Sequence, residues 1–189
     1  MMSQEQIQNL INRSKADDRK AFAQLILEFQ ERIFRLAFRL LCHEEEARDM
    51  VQDVFVKVWL SLDKYDSTYR FSTWTYTITC NMCYDRLRSL QRSPFNYVLV
   101  SIDEKTHEIA AEDNVEEELT NKELRAMILR FTDTLSPKQK IVFTLRDIEE
   151  LDVSEVMQIT GMTAVEIKQN LYHARKLIRN RINQIHTGL

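Results

Sequence analysis

The strongest constraint on the fold is the near-absence of residues that let a chain turn sharply. Only four glycines and prolines occur in 189 residues, namely Gly161, Gly188, Pro94 and Pro137. Glycine and proline usually separate secondary-structure elements, and the helix-favouring Leu, Arg, Glu, Gln and Lys are plentiful here. The length suits one large domain or two small ones. We therefore expect an all-α protein with short connections between its helices.

Charge is distributed unevenly along the chain, whose net charge is −3. Residues 1–92 hold 14 Lys/Arg and 13 Asp/Glu, residues 93–135 hold 4 and 10, and residues 136–189 hold 8 and 6. Both ends are mildly basic, so the overall acidity does not exclude nucleic-acid binding. No apolar run approaches the roughly 18 residues of a membrane span, and the first residues are too polar for a secretory signal. We expect a cytoplasmic protein without membrane insertion.

A helix is predicted from Glu44 to Leu62, where apolar residues recur at steps of three and four. A second face of this helix mixes acids, an amide and bare aliphatic groups: Asp49, Gln52, Asp53, Val56 and Leu60. Such a face fits a partner surface that is basic and partly apolar. The alternative is a solvated face that carries two scattered aliphatic residues, which is common in proteins.

The next predicted helix, over about residues 72–91, carries two adjacent apolar stripes and a polar outer side. Trp74, Ile78 and Met82 form one stripe, and the other consists of Tyr76, Cys80, Cys83 and Leu87. Aromatic residues at helical spacing belong more often to the core than to a base-stacking site. The better candidates for DNA contact are therefore the polar residues of the outer side, Asn81, Tyr84, Arg86 and Arg88.

Cys80 and Cys83 form a C-x-x-C pair that could suggest metal or redox chemistry. A structural zinc site needs about four ligands, and the only others nearby in sequence are Cys42 and His43. Three cysteines, an odd number, argue against a disulfide framework in a chain without an export signal. We expect no metal, no cofactor and no catalytic residue here.

After Pro94 the chain becomes acidic, and residues 93–118 are predicted to form a flexible linker. The following segment shows three successive helix-capping patterns, which begin at Ser136, Asp152 and Thr163. Gly161 lies between the last two helices, where it is free to adopt a positive φ angle. Two helices with such a turn are typical of a helix-turn-helix, although an αα-hairpin in a structural protein has the same spacing.

The second of these helices carries five cations and one acid. Its apolar side, predicted to face the bundle, consists of Val165, Ile167, Leu171, Ala174, Leu177 and Ile178. The residues that we expect to face a major groove are Lys168, Gln169, Asn170, His173 and Lys176. Arg175 and Arg179 are expected to contact phosphates.

Two stretches of this sequence resemble a known family in order along the chain. DMVQDVFVKVW, FSTWTYTI, Asn81 and the run DRLR resemble region two of the extracytoplasmic-function sigma factors, and LSPKQKIVFTLRDI through EIKQNLYHARKLIRNRI resembles their region four. The resemblance implies two helical domains, 1–92 and 119–189, joined by the flexible acidic linker. The first would dock on core RNA polymerase through the Asp49–Leu60 face, melt DNA and read the minus-ten element, with a flipped base near Asn81. The second would read the minus-thirty-five element.

The resemblance also implies an anti-sigma factor as a partner, which is often membrane-bound in this family. Asn170 and His173 stand where the family often has arginines, and Glu166 where it often has threonine, so the bases read are left open. No phosphate loop and no set of histidines at catalytic spacing supports an enzyme. A helix-turn-helix regulator that acts without docking on polymerase is the alternative function, and a protein-only binding role is a further one.

Overall fold

The computed structural model describes residues 2–92, 131–132 and 134–186. This part of the chain is helical and contains no strand. The all-α prediction is confirmed for it. The predicted acidic linker, residues 93–118, lies outside the described residues, and the domain limits remain a prediction.

The N-terminal half, residues 2–92, contains four helices around one core. They are α1 (Gln4–Lys15), α2 (Arg19–Leu41), α3 (Glu44–Ser61), which continues into a 3₁₀ turn (Leu62–Lys64), and α4 (Phe71–Arg92). The long α2 packs against each of the other three. Its fully buried residues recur at helical spacing and form the centre of the core: Ala21, Leu25, Ile33, Leu36, Ala37 and Leu40.

Local side-chain chemistry sets where these helices start and stop. Ser3 and Gln6 form a capping box at the start of α1, and the Asp18 carboxylate accepts two backbone N–H groups at the start of α2. Cys42 ends α2 in the left-handed region at φ 59°, and His43 Nδ1 accepts the Glu46 N–H to begin α3. α3 therefore begins at Glu44, as the sequence predicts.

The C-terminal half, residues 131–132 and 134–186, holds α5 (Pro137–Phe143), α6 (Val153–Thr160) and α7 (Ala164–His186). The three predicted capping boxes are all present: Ser136 with Gln139, Asp152 with Glu155, and Thr163 with Glu166. Gly161 adopts φ 67° between α6 and α7, as predicted. This pair of helices is the helix-turn-helix.

An unpredicted π-helical turn, Thr144–Ile148, continues α5. Wider turns of this kind are rare and change which residues share a face of the helix. Here the turn places Asp147 against α7 and leads into Glu149, which contacts the N-terminal half. Glu150 follows in the left-handed region at φ 56°, where the chain leaves the helix.

The two halves pack against each other and share one hydrophobic core. α4 packs against α5 and α6, and the π turn contacts α2. Buried residues from both halves belong to one continuous cluster, which includes Phe29 and Cys83 from the first half and Leu145 and Ile159 from the second. The separate cores that two independent domains would have are therefore joined in this structure.

Candidate functional site

The acidic and aliphatic face of α3 is open to solvent. Its five residues, Asp49, Gln52, Asp53, Val56 and Leu60, are all exposed and fall within about 100° of one another on a helix of 3.6 residues per turn. The exposed fraction is 59% for Val56 and 75% for Leu60. Within the described residues, neither Asp49 nor Asp53 has an ion-pair partner.

The opposite side of α3 is buried and fixes the position of the helix. Ala47, Val54 and Val58 are fully buried and lock the helix against α2 and α4. Phe55 meets Phe22 edge-to-face, with ring centroids 6.3 Å apart. The exposed face is thus held on a rigid helix, which is how binding residues are usually presented.

Three of the four candidate DNA contacts on α4 share one open side of the helix. Asn81, Tyr84 and Arg88 fall within about 60° of one another on a helix of 3.6 residues per turn. Asn81 and Arg88 are exposed, and Tyr84 is half-buried. An amide, a phenol and a guanidinium on one exposed side can hydrogen-bond to bases, stack on them and contact phosphates.

The fourth candidate, Arg86, lies on another side of α4 and forms an ion pair with α3. Its Nη2 and Nε donate to the two carboxylate oxygens of Glu46, at 2.6 and 3.0 Å. Hydrogen bonding to Arg86 lowers the pKa of the Glu46 carboxyl, and the same pair raises the pKa of Arg86. The structure therefore does not bring Arg86 together with the other three residues.

The candidate DNA-reading helix, α7, has a continuous exposed basic face. Lys168, Gln169, Lys176 and Arg179 are exposed and fall within about 100° of one another at 3.6 residues per turn. Tyr172, 63% exposed, lies among them and adds an aromatic ring that was not among the predicted DNA contacts. Tyr172 is four residues from both Lys168 and Lys176, and this spacing could have placed it on their face of the helix from the sequence alone.

The remaining candidates on α7 lie beside this basic face. Arg175 Nη2 and Nε donate to the Asp147 carboxylate at 2.6 and 2.8 Å, so its guanidinium is partly neutralised. Asn170 is half-buried and donates from Nδ2 to the Glu166 carbonyl at 2.8 Å. His173 is exposed, and its ring centroid lies 5.5 Å from that of Tyr172. Asn170 is thus turned furthest from the basic face.

Two residues of the predicted bundle-facing side of α7 are instead exposed. Val165 is 65% exposed and Leu177 is 40% exposed, whereas Ile167 and Ala174 are buried as expected. The buried arc of α7 is narrower than predicted because α7 packs mainly on α5 and α6, which cover only one side of it. The predictions for Val165 and Leu177 were wrong.

The loop before α4 packs against the start of that helix through a buried tyrosine. Tyr65 is buried and donates its hydroxyl to the Tyr69 carbonyl at 2.6 Å, and its ring packs against Phe71 and Trp74. This loop and the start of α4 face α6 across a cleft of about 310 Å³. The cleft is lined by Thr68, Tyr69, Arg70, Thr73, Glu155 and Gln158. Sequence patterning did not predict that these two segments would meet.

The C-x-x-C pair is buried where α4 meets the C-terminal half. Burial raises the pKa of the Cys83 thiol to about 12 and that of Cys80 well above its ordinary value, so both stay protonated at neutral pH. Metal-binding cysteines need to be thiolates. The described residues contain no cluster of three or more His, Cys, Asp or Glu able to hold a metal ion.

Comparison with known proteins identifies the family. The model for Sigma-70 region 2 matches residues 25–93, and the model for Sigma-70 region 4 matches residues 125–178, together well over half of the chain. The chain is 26% identical over 185 residues to the ECF RNA polymerase sigma factor SigW of Bacillus subtilis, covering 95% of this chain and 98% of that one. It is 25% identical to the ECF RNA polymerase sigma-E factor of Haemophilus influenzae, covering 94% and 96%. The chain belongs to the extracytoplasmic-function sigma factors.

Solved structures show the same fold. CnrH, in a complex with the cytosolic domain of CnrY, superposes with a TM-score of 0.67 at 18% identity, covering 95% of this chain and 98% of CnrH. The sigma factor RpoE of Bartonella quintana, in a complex with the anti-sigma factor NepR, superposes with a TM-score of 0.61 at 21% identity, covering 87% and 98%. In the described part of this sigma factor, no helix is both long enough and apolar enough to cross a bilayer.

Proposed function

We infer that this protein is a transcription initiation factor that binds core RNA polymerase and directs it to specific promoters. The observation that carries this function is the presence of both sigma regions, in order, on one chain whose relatives match it from end to end. Residues 1–92 and 119–189 would act as its two functional domains. The chemistry of RNA synthesis would belong to the polymerase, and this chain would contribute the choice of promoter.

We propose that the exposed α3 face docks on the polymerase. Val56 and Leu60 would supply binding free energy because they are the side chains with apolar surface left to bury. Asp49 and Asp53 would steer the face towards a basic partner surface and fix its register. Gln52 lies beside them on this face, and its side-chain amide can act as a hydrogen-bond donor or acceptor.

The open side of α4 would contact the minus-ten region of the promoter. The Asn81 amide suits the edge of an unstacked base, Tyr84 suits stacking, and Arg88 suits a phosphate. Arg86 would hold the end of α4 against α3 through Glu46, and it would reach a phosphate only by giving up this ion pair.

The basic face of α7 would enter the major groove at the minus-thirty-five element. Lys168, Gln169 and Lys176 would face base edges, with Tyr172 among them, and Arg179 would contact the phosphate backbone. His173 lies at the margin of this face. Arg175 would position α7 through its ion pair with Asp147 before contacting a phosphate, and Asn170 would act mainly by bonding the Glu166 carbonyl.

An anti-sigma factor would hold this protein inactive until a signal releases it. Two solved structures of the same fold, CnrH and RpoE of Bartonella quintana, are complexes with the cytosolic domain of CnrY and with the anti-sigma factor NepR. A factor that works with polymerase on the chromosome would act in the cytoplasm.

Run-off transcription from a pool of genomic fragments tests this function. Core RNA polymerase is incubated with the pool, with and without the protein, and new transcript starts are mapped. We expect discrete starts that share two spaced sequence elements. No new starts, with DNA binding by the chain intact, would instead indicate a helix-turn-helix regulator that does not dock on polymerase.

A further inference from the structure

The second apolar stripe of α4 forms the contact between the two halves. Tyr76 of this stripe donates its hydroxyl to Glu149 at 3.3 Å, and Cys80 and Cys83 are buried beside the charges of Glu149 and Lys140. Lys140 of α5 is itself buried and donates to Cys42 Sγ at 3.0 Å. This second polar contact between the halves joins α5 to the end of α2. The interface is therefore apolar with polar bridges at defined points.

The central polar bridge joins three helical segments through one carboxylate. Glu149 accepts from the Arg39 guanidinium of α2 at one oxygen and from the Tyr76 hydroxyl of α4 at the other. The side chains of Arg39 and Glu149 are only 33% and 16% exposed, so the charges are shielded from solvent. A charged hydrogen bond in such surroundings is stronger than a neutral one at the surface.

The π turn directs this carboxylate towards the N-terminal half. Asp147 and Glu149 are two residues apart, so they point to nearly opposite sides of the turn. Asp147 pairs with Arg175 inside the C-terminal half, whereas Glu149 pairs with Arg39 and Tyr76 across the interface. Asp147 therefore forms an ion pair within the C-terminal half, whereas Glu149, just after the turn, forms one with the N-terminal half.

The packed form cannot contact both promoter elements together. A compact chain of this length is about 40 Å across. The minus-ten and minus-thirty-five elements are, by their names, about 25 base pairs apart, which is about 85 Å of B-form DNA at ~3.4 Å per base pair. If the proposed function holds, the polymerase-bound form that engages a promoter must be one in which the two halves have separated, so forming it from the closed chain includes the free-energy cost of opening.

We propose that Arg39, Glu149 and Tyr76 form an interdomain latch that keeps the free protein closed and opposes polymerase binding. The effect on polymerase binding rests on the proposed function, whereas the latch itself is a property of the free chain. Opening would break both hydrogen bonds to Glu149 and expose Cys80 and Cys83. The apparent affinity for polymerase would then be reduced by the small fraction of open molecules.

Thiol alkylation of the free, full-length protein tests the latch. N-ethylmaleimide labelling of Cys80 and Cys83 is followed by peptide mass spectrometry in the native protein, in Glu149→Gln and in Tyr76→Phe. Losing the charged acceptor should raise the labelling rate of both cysteines about tenfold, and losing the single Tyr76 hydroxyl bond about threefold. Glu44→Gln is the matched control, because Glu44 pairs with Arg48 within α3, away from the interface. Its labelling rate should stay within twofold of the native value.

Equilibrium binding to core RNA polymerase tests whether the closed form is inhibitory. Glu149→Gln should bind core about tenfold more tightly than the native chain, and Glu44→Gln should bind as the native chain does. Unchanged labelling of Cys80 and Cys83 in Glu149→Gln would overturn the latch. Faster labelling with unchanged or weaker core affinity would overturn its inhibitory role. If the native chain does not bind core, the proposed function and the inhibitory role are both wrong. The labelling result still tests whether the latch exists.

Discussion

Shortening the two aliphatic side chains of the α3 face should abolish most polymerase binding without affecting the fold. Leu60→Ala removes three carbons from a side chain that is 75% exposed, and Val56→Ala removes two from one that is 59% exposed. At about 0.8 kcal/mol per buried carbon, the surface still available for burial corresponds to about 1.8 kcal/mol for Leu60 and about 0.9 kcal/mol for Val56. The double variant should therefore bind core polymerase about 100-fold more weakly.

The same structure predicts almost no cost to folding. Both side chains remain largely in water in the native protein, so the free energy of unfolding should change by less than about 0.5 kcal/mol. Fluorescence anisotropy with labelled protein measures the affinity, and urea unfolding measures the stability. Leu27→Ala is the control, because Leu27 is 68% exposed but lies on α2. Unchanged affinity in the double variant, or a lower affinity explained by a loss of stability, would refute the docking face.

Three further predictions follow from the other charged groups. Asp49→Arg with Asp53→Arg should abolish core binding while leaving the free energy of unfolding, measured in urea, within about 0.5 kcal/mol of the native value, since both acids lie off the buried side of α3; retained binding would exclude these acids as docking residues. Arg179→Ala should lower upstream DNA affinity and reduce its slope against log salt by about one, measured by anisotropy between low and physiological salt, and an unchanged slope would mean that Arg179 contacts no phosphate. Because Arg86 lowers the pKa of Glu46, the stability from this pair should be present above the unfolded pKa of Glu and lost as pH falls through the lower folded value. Urea unfolding between about pH 6 and pH 3 should show native protein losing up to ~1 kcal/mol more than Glu46→Gln, and equal losses would contradict the role of the pair.

The helices and their caps could be predicted from sequence because the signals are local. Ser136 and Gln139, or Thr163 and Glu166, are three residues apart, and their reciprocal hydrogen bonds depend on nothing distant. The exposed face of α3 was predictable for the same reason, since a helix repeats every 3.6 residues wherever it is placed.

Contacts between the halves could not be predicted in this way. Arg39 and Glu149 are 110 residues apart, and Tyr76 and Glu149 are 73 apart, so no spacing rule connects them. The second stripe on α4 indicated that something would cover Tyr76, but not which segment. The exposure of Val165 was also missed, because periodicity reports an apolar side without saying how much of it a neighbour covers.

Base reactivity on a mapped promoter tests whether this chain and core RNA polymerase together open promoter DNA. A promoter found by run-off transcription is treated with permanganate in the presence of core RNA polymerase, with the native chain or with the variant Asp49→Arg and Asp53→Arg. We expect reactive, unpaired thymines from the minus-ten element to the start site only when core and the native chain are both present. The same pattern with core and the docking variant, or with the chain alone, would contradict it.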